Sequence, residues 1–248
     1  MLNDRQVNIL KLLEENNQTS VNELSTRLSV SSATIRQDLR FLESEGLIKR
    51  VHGGAVLEDA EDLSNRLGVN YDKKLRIARK AAGLVSDGET ILIESGSTNA
   101  LLARELVKKK NITIITTNVY IAHQLRKSKQ SDIIILGGLY QPGSESLVGK
   151  ITRVALDQIN FDKAFIGIDG YTAEAGFTLR DLFRAEISSY IIKKASDTII
   201  ISDSTKFGKK ELTSICHLSD INRIATDNEL NSSYQDEFRK AGIDLIMS

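Results

Sequence analysis

The chain has 248 residues, 41% hydrophobic and 27% charged, a balance typical of a folded globular protein rather than a disordered or fibrous one. Basic and acidic residues number 33 each, so the overall charge gives no evidence for a nucleic-acid or membrane partner. The single cysteine excludes an internal disulfide and a cysteine-based metal cluster. No segment has the length and apolar composition of a membrane span, so we expect a cytoplasmic protein with no membrane partner.

Three short helices are predicted first along the chain. Apolar residues near the N-terminus follow a partly helical spacing. Ser20 and Glu23 have the spacing of a capping box, in which a hydroxyl and a carboxylate satisfy the first backbone amides of a helix. A third helix is predicted over residues 32–45, and Gly46 is suited to end it.

The apolar period changes after Gly46. The segments LIKRV and AVL read as two short strands, joined by a His-Gly-Gly turn. Three helices followed by such a ribbon predict a winged helix-turn-helix domain over residues 1–57. Residues 58–72 are predicted to be a linker, because most of this acidic segment has no clear apolar period.

Residues 73–248 alternate between strand and helix patterns, which predicts an α/β domain with a mostly parallel, open sheet buried on both faces. The predicted strands are 90–93, 112–116, 133–136, 164–168, 198–201, 223–226 and 244–247. The predicted helices are 75–85, 99–109, 119–127 and 182–195.

The third helix presents a polar face that suits the major groove of DNA. Arginine can bridge the O6 and N7 atoms of guanine, and glutamine can pair with adenine. Hydroxyls at the helix start suit a phosphate, and basic residues of the ribbon suit the neighbouring backbone. The candidate DNA-binding residues are Ser31, Ser32, Thr34, Arg36, Gln37, Arg40, Lys49, Arg50 and His52.

Charge alone leaves an alternative open, namely a helical module that binds another protein. Residues 1–57 contain seven basic and seven acidic residues, although residues 27–50 contain five basic and three acidic ones. The pattern VS-x-x-TIR-x-DL-x-x-LE-x-x-G is followed by R-x-HGGA. From Arg5 to about Val56 the sequence resembles the N-terminal module of the DeoR family of bacterial transcriptional regulators. This resemblance implies that Thr34, Arg36, Gln37 and Arg40 lie at the DNA.

Small and polar residues follow several of the predicted strands. Carboxyl ends of parallel strands meet at one crevice, and a small-residue turn that opens a helix can hold an anion on backbone amides. Lys206 would add a positive charge for a phosphate. The candidate effector-binding residues are Glu94, Ser95, Gly96, Ser97, Thr98, Asn99, Thr117, Asn118, Gly137, Gly138, Asp169, Glu186 and Lys206.

An enzymatic function is the competing hypothesis for the second half. An isomerase needs a base that moves a proton beside a carbonyl, and Asp169, Glu186 and Lys206 are candidates by their position. Glu186 is equally suited to bind a ligand hydroxyl. His123 and His217 have no partners at metal-ligand spacing, so we expect no metal site, no catalytic residue and no cofactor.

Resemblance to the DeoR family continues through this half, in ESGSTN at 94–99, TTN at 116–118, LGG at 136–138 and DSTKFG at 203–208. It implies a sensor domain with the fold of ribose-phosphate isomerases, which usually responds to a phosphorylated sugar or related metabolite. We therefore expect a regulator, most simply a repressor, that binds a double-stranded DNA operator as a dimer or tetramer. An inactive isomerase joined to a protein-interaction module is the remaining alternative.

Overall fold

The computed structural model describes residues 2–16, 18–57, 63–126 and 128–248, and the chain divides into two compact units at Asp72/Lys73. The second unit therefore begins where the sensor domain is expected. Residues 58–62 of the expected linker and Lys127 of an expected helix lie outside the described residues. The elements of the first unit are α1 (Asp4–Asn16), β1 (Gln18–Ser20), α2 (Val21–Leu28), α3 (Ser32–Ser44), β2 (Lys49–Val51), β3 (Gly54–Val56) and α4 (Leu63–Gly68).

Short polar residues set the boundaries of α2 and α3. Ser20 caps α2, its hydroxyl accepting from the Glu23 amide at 3.1 Å. Ser29 ends α2 in the left-handed conformation, and Ser31 then caps α3. The result is two helices joined by a tight turn, with Leu24 of α2 and Ile35 of α3 in the buried core.

The predicted ribbon has a third strand, so the expectation of two strands was wrong. The antiparallel order is β1-β3-β2. β1 is three residues long and ends at Ser20, the cap of α2, so no alternating pattern revealed it. Gly54 permits the pairing, because a Cβ there would lie 2.3 Å from the Thr19 carbonyl oxygen.

The expected linker is partly helical. Leu63 and Leu67 are buried on α4, whose six residues are too few to give a readable period. The Asn70 amide donates to Glu14, and Lys11 lies 2.6 Å from Asp72. Residues 63–72 therefore pack within the first unit rather than forming an extended connection.

The second unit is built around a seven-stranded sheet. All its neighbouring strands are parallel, in the order β15-β14-β12-β9-β4-β5-β6, which confirms the predicted class. The central strands are buried on both faces, and their carboxyl ends lie along one edge. Its elements are α5 (Tyr71–Ala82), β4 (Thr90–Ile93), α6 (Ser97–Leu106), β5 (Ile112–Thr116), α7 (Val119–Leu125), β6 (Ser131–Ile135), β7 (Leu139–Gln141), β8 (Ser146–Val148), α8 (Lys150–Asp157), β9 (Lys163–Gly167), β10 (Gly170–Thr172), β11 (Gly176–Leu179), α9 (Leu182–Lys194), β12 (Thr198–Ile201), β13 (Thr213–Cys216), β14 (Arg223–Thr226), α10 (Ser232–Lys240) and β15 (Asp244–Met247).

The smaller elements of the second unit were not predicted from the sequence. A hairpin of β7 and β8 and a three-stranded antiparallel sheet, in the order β10-β11-β13, accompany the main sheet. Helices α8 and α10 were also missed, since each has a short apolar stripe, with Phe238 the buried residue of α10. Among the described residues, none of the helices has the length and apolar character needed to cross a bilayer.

Candidate functional site

The exposed face of α3 carries Arg36, Gln37 and Arg40, while Ile35 and Leu39 are buried. These three polar side chains share one side of the helix, as the sequence analysis expected. They offer two guanidinium groups and one amide, which are the donors and acceptors that suit the edges of bases in a major groove.

The rotation of α3 is fixed by a buried carboxylate. Asp38 is 3% exposed and accepts from Arg5 Nε at 2.5 Å and from Gln6 Nε2 at 3.1 Å, both on α1. Because Asp38 lies on the side of α3 away from Arg36 and Arg40, these bonds hold the two arginines toward solvent. Sequence reasoning missed this role of Asp38.

The hydroxyls at the start of α3 serve the helix itself. Ser31 Oγ accepts from the Thr34 amide at 3.2 Å and lies 2.9 Å from Thr34 Oγ1. Ser31 is exposed, whereas Ser32 and Thr34 are half-buried. The capped helix start therefore presents hydroxyls and the positive end of a helix dipole together, which suits a phosphate oxygen.

The wing carries Lys49, Arg50 and His52 on its exposed surface. Arg50 Nε lies 2.8 Å from Glu43 Oε2, and the Arg50 amide donates to Glu43 Oε1 at 3.1 Å. Arg50 therefore connects the wing to α3, in addition to any contact with DNA. His52 and Gly53 form the tight turn between β2 and β3, with Gly53 at φ +77°.

At the carboxyl end of a central strand, the segment between β4 and α6 forms a buried polar turn. Glu94, Ser95, Ser97, Thr98 and Asn99 are all buried. The turn also approaches a neighbouring strand closely, since a Cβ on residue 167 would lie 2.8 Å from the carbonyl oxygen of residue 95. Burial of so many polar groups beside a helix start favours a ligand site over a solvated loop.

Gly96 begins α6 without a side chain to cap it. Its φ of +125° lies in the region that favours glycine, and no side-chain cap hydrogen bond is present. Asn99 Nδ2 donates to the carbonyl oxygens of Ser95 at 3.1 Å and Phe165 at 3.2 Å. Asn99 Oδ1 is buried with no hydrogen-bond partner in the described part of the chain. The amides of the first turn of α6 are thus available to an anion.

Asn118 connects the second turn to the first. Its Nδ2 donates to Ser95 Oγ at 2.9 Å and to the Ser144 carbonyl at 2.8 Å, and its Oδ1 caps α7 by accepting from Ile121. The Thr117 carbonyl accepts from Leu147 of the hairpin at 2.7 Å. These groups hold the crevice together, so they shape it more than they present donors to a ligand.

The structure adds Arg184, which sequence reasoning did not select. Arg184 is 4% exposed, and its Nη2 lies 3.1 Å from Glu94 Oε1. Its Nη1 lies 4.0 Å from Asp169 Oδ2. Burial raises the pKa of Glu94, against the opposing charge of Arg184. Desolvation works against the charge of Arg184, but Glu94 and Asp169 outweigh it and raise the pKa of the guanidinium. The buried Arg184 guanidinium is therefore the positive charge beside both buried carboxylates, Glu94 and Asp169.

Lys206 lies beyond β12 beside a second charged group. It ends the short 3-10 helix Ser204–Lys206, which Asp203 caps by accepting from the Thr205 amide at 3.1 Å. Burial alone would raise the pKa of Asp203, but the charges of Lys74 and Lys206 and the Thr205 bonds lower it. Lys74 is itself buried, so a second cation acts on Asp203, at a position that was not among the predicted site residues.

Glu186, Gly137 and Gly138 all lie against α8, where the Gly137 carbonyl accepts from Thr152 Oγ1 at 2.8 Å. Glu186 is on the exposed side of α9, and its Oε1 lies 3.0 Å from Arg153 Nη1. A Cβ on Gly138 would lie 2.1 Å from Thr152 Oγ1, so packing explains this glycine. No cluster of three metal-ligating side chains occurs among the described residues. Burial raises the pKa of the Cys216 thiol, which disfavours the reactive thiolate.

Comparison with known proteins identifies both units. A model of the DeoR-like helix-turn-helix domain matches residues 5–61, and one of the DeoR C-terminal sensor domain matches residues 69–228. The chain is 35% identical over 244 residues to the HTH-type transcriptional regulator GolR of Listeria innocua, covering 97% of this chain and 96% of GolR. It is 29% identical over 230 residues to the transcriptional repressor AccR of Agrobacterium fabrum, covering 91% and 89%.

Among solved structures, ribose 5-phosphate isomerase A of Methanocaldococcus jannaschii aligns with a TM-score of 0.42 and 23% identity, covering 57% of this chain and 56% of the isomerase. The relatives matched along nearly their whole length are transcriptional regulators, so the enzymatic alternative is set aside. Because both of its modules match the corresponding family models, the chain belongs to the DeoR family of helix-turn-helix transcriptional regulators.

Proposed function

We propose that this regulator is a repressor whose affinity for its operator is changed by a phosphorylated sugar or a related metabolite in the crevice of the second unit. The observation that carries the proposal is the buried polar turn 94–99, which lies at the carboxyl edge of the sheet beside Arg184. Repression as the direction of control is supported by the similarity to AccR, a transcriptional repressor.

Arg36, Gln37 and Arg40 are the base-reading residues of this proposal. They share one exposed face, and the bonds of Asp38 to α1 hold that face outward. Ser31, Ser32 and Thr34 bind the phosphate backbone at the helix start, and Lys49, Arg50 and His52 contact the backbone beside the groove. Phosphate contacts position the domain and base contacts give specificity.

The effector's phosphate binds at the start of α6. Gly96 leaves the first amides of the helix uncapped by a side chain, and Ser97 and Thr98 add hydroxyls. Lys206 supplies positive charge, while Glu94 and Asp169 offer carboxylate oxygens to sugar hydroxyls. A compound that carries both an anionic group and several hydroxyls matches this mixture, whereas an apolar ligand does not.

Regulation requires that the effector prefer one conformation of the protein. A differential affinity of this kind corresponds to a coupling free energy of about 1–3 kcal/mol, which changes operator affinity by roughly 5- to 150-fold. Two or more copies present paired α3 helices to half-sites that are separated by whole turns of DNA. We expect the effector to release the operator.

Operator binding is tested by fluorescence anisotropy with the purified full chain and DNA from upstream of its own gene. Arg36→Ala is expected to weaken specific binding by about 1–3 kcal/mol, while binding to unrelated DNA changes little. Arg239→Ala is the matched control, since Arg239 is exposed on α10. Equal operator affinity of Arg36→Ala and the control would remove α3 from the proposed interface.

Effector binding is tested by thermal shift with a panel of sugar phosphates and the corresponding free sugars. A phosphorylated compound is expected to raise the melting temperature and to release operator DNA. Lys206→Ala should lose both responses and retain DNA binding. Lys210→Ala is the matched control, because Lys210 is exposed near Glu174. A response that is unchanged in Lys206→Ala would exclude the proposed phosphate site.

A further inference from the structure

Most of the large exposed apolar side chains of the second unit lie on four elements. They are between 40% and 68% exposed, and they occur on β6, β7, α8 and the first turn of α9. We call this surface the β6–α9 face. Its residues are Ile134, Ile135, Leu139, Tyr140, Ile151, Val154, Leu182 and Phe183.

Three interactions hold the four elements side by side. Thr152 Oγ1 of α8 donates to the Gly137 carbonyl at 2.8 Å, just after β6. Gln141 Nε2 of β7 donates to Asp181 Oδ2 at 2.9 Å, at the cap of α9. Between α8 and α9, the Arg153–Glu186 pair spans 3.0 Å. The four elements are therefore neighbours, and consecutive strand residues such as Ile134 and Ile135 extend the exposed apolar surface to both sides of their strand.

The two edge strands of the main sheet differ in how far their apolar side chains are exposed. At the β15 edge, Leu245 and Met247 pack against the buried core. At the β6 edge, Ile134 and Ile135 are 40% and 49% exposed, and within the described part of the chain β6 pairs with β5 alone. An uncovered edge strand is a template for pairing with another chain, and proteins usually protect it with charge, proline or a covering element.

The size of the β6–α9 face matches a protein interface. Its eight side chains expose on the order of 800 Å², which is about what each partner buries in a standard interface. A typical soluble monomer has a largest apolar patch of about 300–600 Å². The Arg153–Glu186 pair, which joins α8 and α9, is neutral as a pair.

We propose that the β6–α9 face is the surface through which two copies of this chain associate. A two-fold axis places the same patch on both copies, so one apolar face buries the other. The two β6 edges then meet antiparallel, which provides both with a neighbouring strand. The requirement for two copies also follows from the first unit, whose single α3 reads one half-site of a symmetric operator.

The test is sedimentation equilibrium of the full chain over a wide concentration range, without DNA or effector. The wild type is expected to have twice the chain mass, or a multiple of it. A double variant, Ile151→Glu with Leu182→Glu, is expected to weaken association by about 100-fold or more, because two acids would be buried at the interface. Both side chains are more than half exposed, so circular dichroism should show an unchanged fold.

Ala241→Glu is the matched control, since Ala241 is exposed beside the β15 edge. Leu139→Glu is a second, independent variant on the hairpin. Loss of one association step in both face variants, with the control unchanged, supports the proposal. A monomeric wild type, or face variants with the wild-type mass, would overturn it. Since no ligand is present, this result is separate from the outcome of the operator and effector experiments.

Discussion

Removal of the Arg184 side chain tests the buried charge cluster most directly. We consider Arg184→Met, which retains a long apolar side chain but no guanidinium. Its Nη2 lies 3.1 Å from Glu94 Oε1, and the Arg184 and Glu94 side chains are 5% and 2% exposed. Asp169 lies at 4.0 Å. The substitution therefore leaves two buried carboxylates without the cation that offsets their charge.

Breaking a buried ion pair by removing one partner costs about 3–5 kcal/mol. A domain has a total stability of about 5–15 kcal/mol, so the second unit should remain folded but be much weakened. For a unit of this size, each kcal/mol lowers the melting temperature by about 2–4 °C, so we expect a fall of roughly 10 °C.

The stability difference between Arg184→Met and the wild type should depend on pH in a definite direction. Burial already raises the pKa of Glu94 above 4.5. A group of this kind contributes its stability below the unfolded pKa and loses it as the pH rises through the folded pKa. Loss of Arg184 raises the pKa of Glu94 further. The deficit of the variant should therefore be largest at high pH, where Glu94 is charged, and narrow as the pH falls and Glu94 binds a proton.

The assay is thermal unfolding from acid to neutral pH, with Arg239→Met as control. Arg239 is 59% exposed and lies 3.7 Å from Asp236, so its loss should cost about 0–1 kcal/mol. Adding Glu94→Gln to Arg184→Met should restore part of the stability. A melting temperature of Arg184→Met equal to that of the control, or a further loss of stability when Glu94→Gln is added to Arg184→Met, would refute the role of Arg184 in this cluster.

Gly54→Ala should destabilise the first unit by about 1–3 kcal/mol and weaken operator binding, because the new Cβ would lie 2.3 Å from the Thr19 carbonyl oxygen. Gly143→Ala, whose Cβ would meet nothing within 4 Å, is the control, and equal denaturation midpoints would contradict the prediction. Asp203→Asn should be less stable than the wild type at neutral pH, with the difference vanishing as pH falls through and below 3.8, because the charge of Lys74 helps to lower the pKa of Asp203. Melting curves of Asp203→Asn that parallel the wild type at every pH would refute this.

The sequence predicted the strands of the main sheet well, because continuous apolar runs between turns are typical of strands covered on both faces. Five of the seven predicted strands coincide with the observed bounds, for example Thr90–Ile93 and Thr198–Ile201. β6 begins two residues earlier than predicted, at Ser131, because an exposed edge admits polar residues. Elements of three residues, such as β1 and β7, are too short to have a period.

The sequence allowed a prediction for the part of the candidate site whose residues are contiguous in the chain. The turn 94–99 stands out in the sequence, since small residues separate an apolar strand from a helix. The roles of Arg184 and Glu186 were not readable, because the buried side of α9 is fixed by what packs on it. Residues two apart on a helix point in nearly opposite directions, so one enters the crevice and the other faces Arg153.

Phe183 and Arg184 are consecutive residues of α9, the first exposed on the proposed self-association surface and the second in the ion pair with Glu94. Under the two proposals, a metabolite that shifts this helical turn would alter the packing of two copies, and their packing would alter the cleft in return. Mass action then links the two equilibria. The metabolite concentration that gives half-saturation should therefore depend on the concentration of the protein. In a cell, the number of copies of the chain would then help to set the metabolite level at which the operator is released.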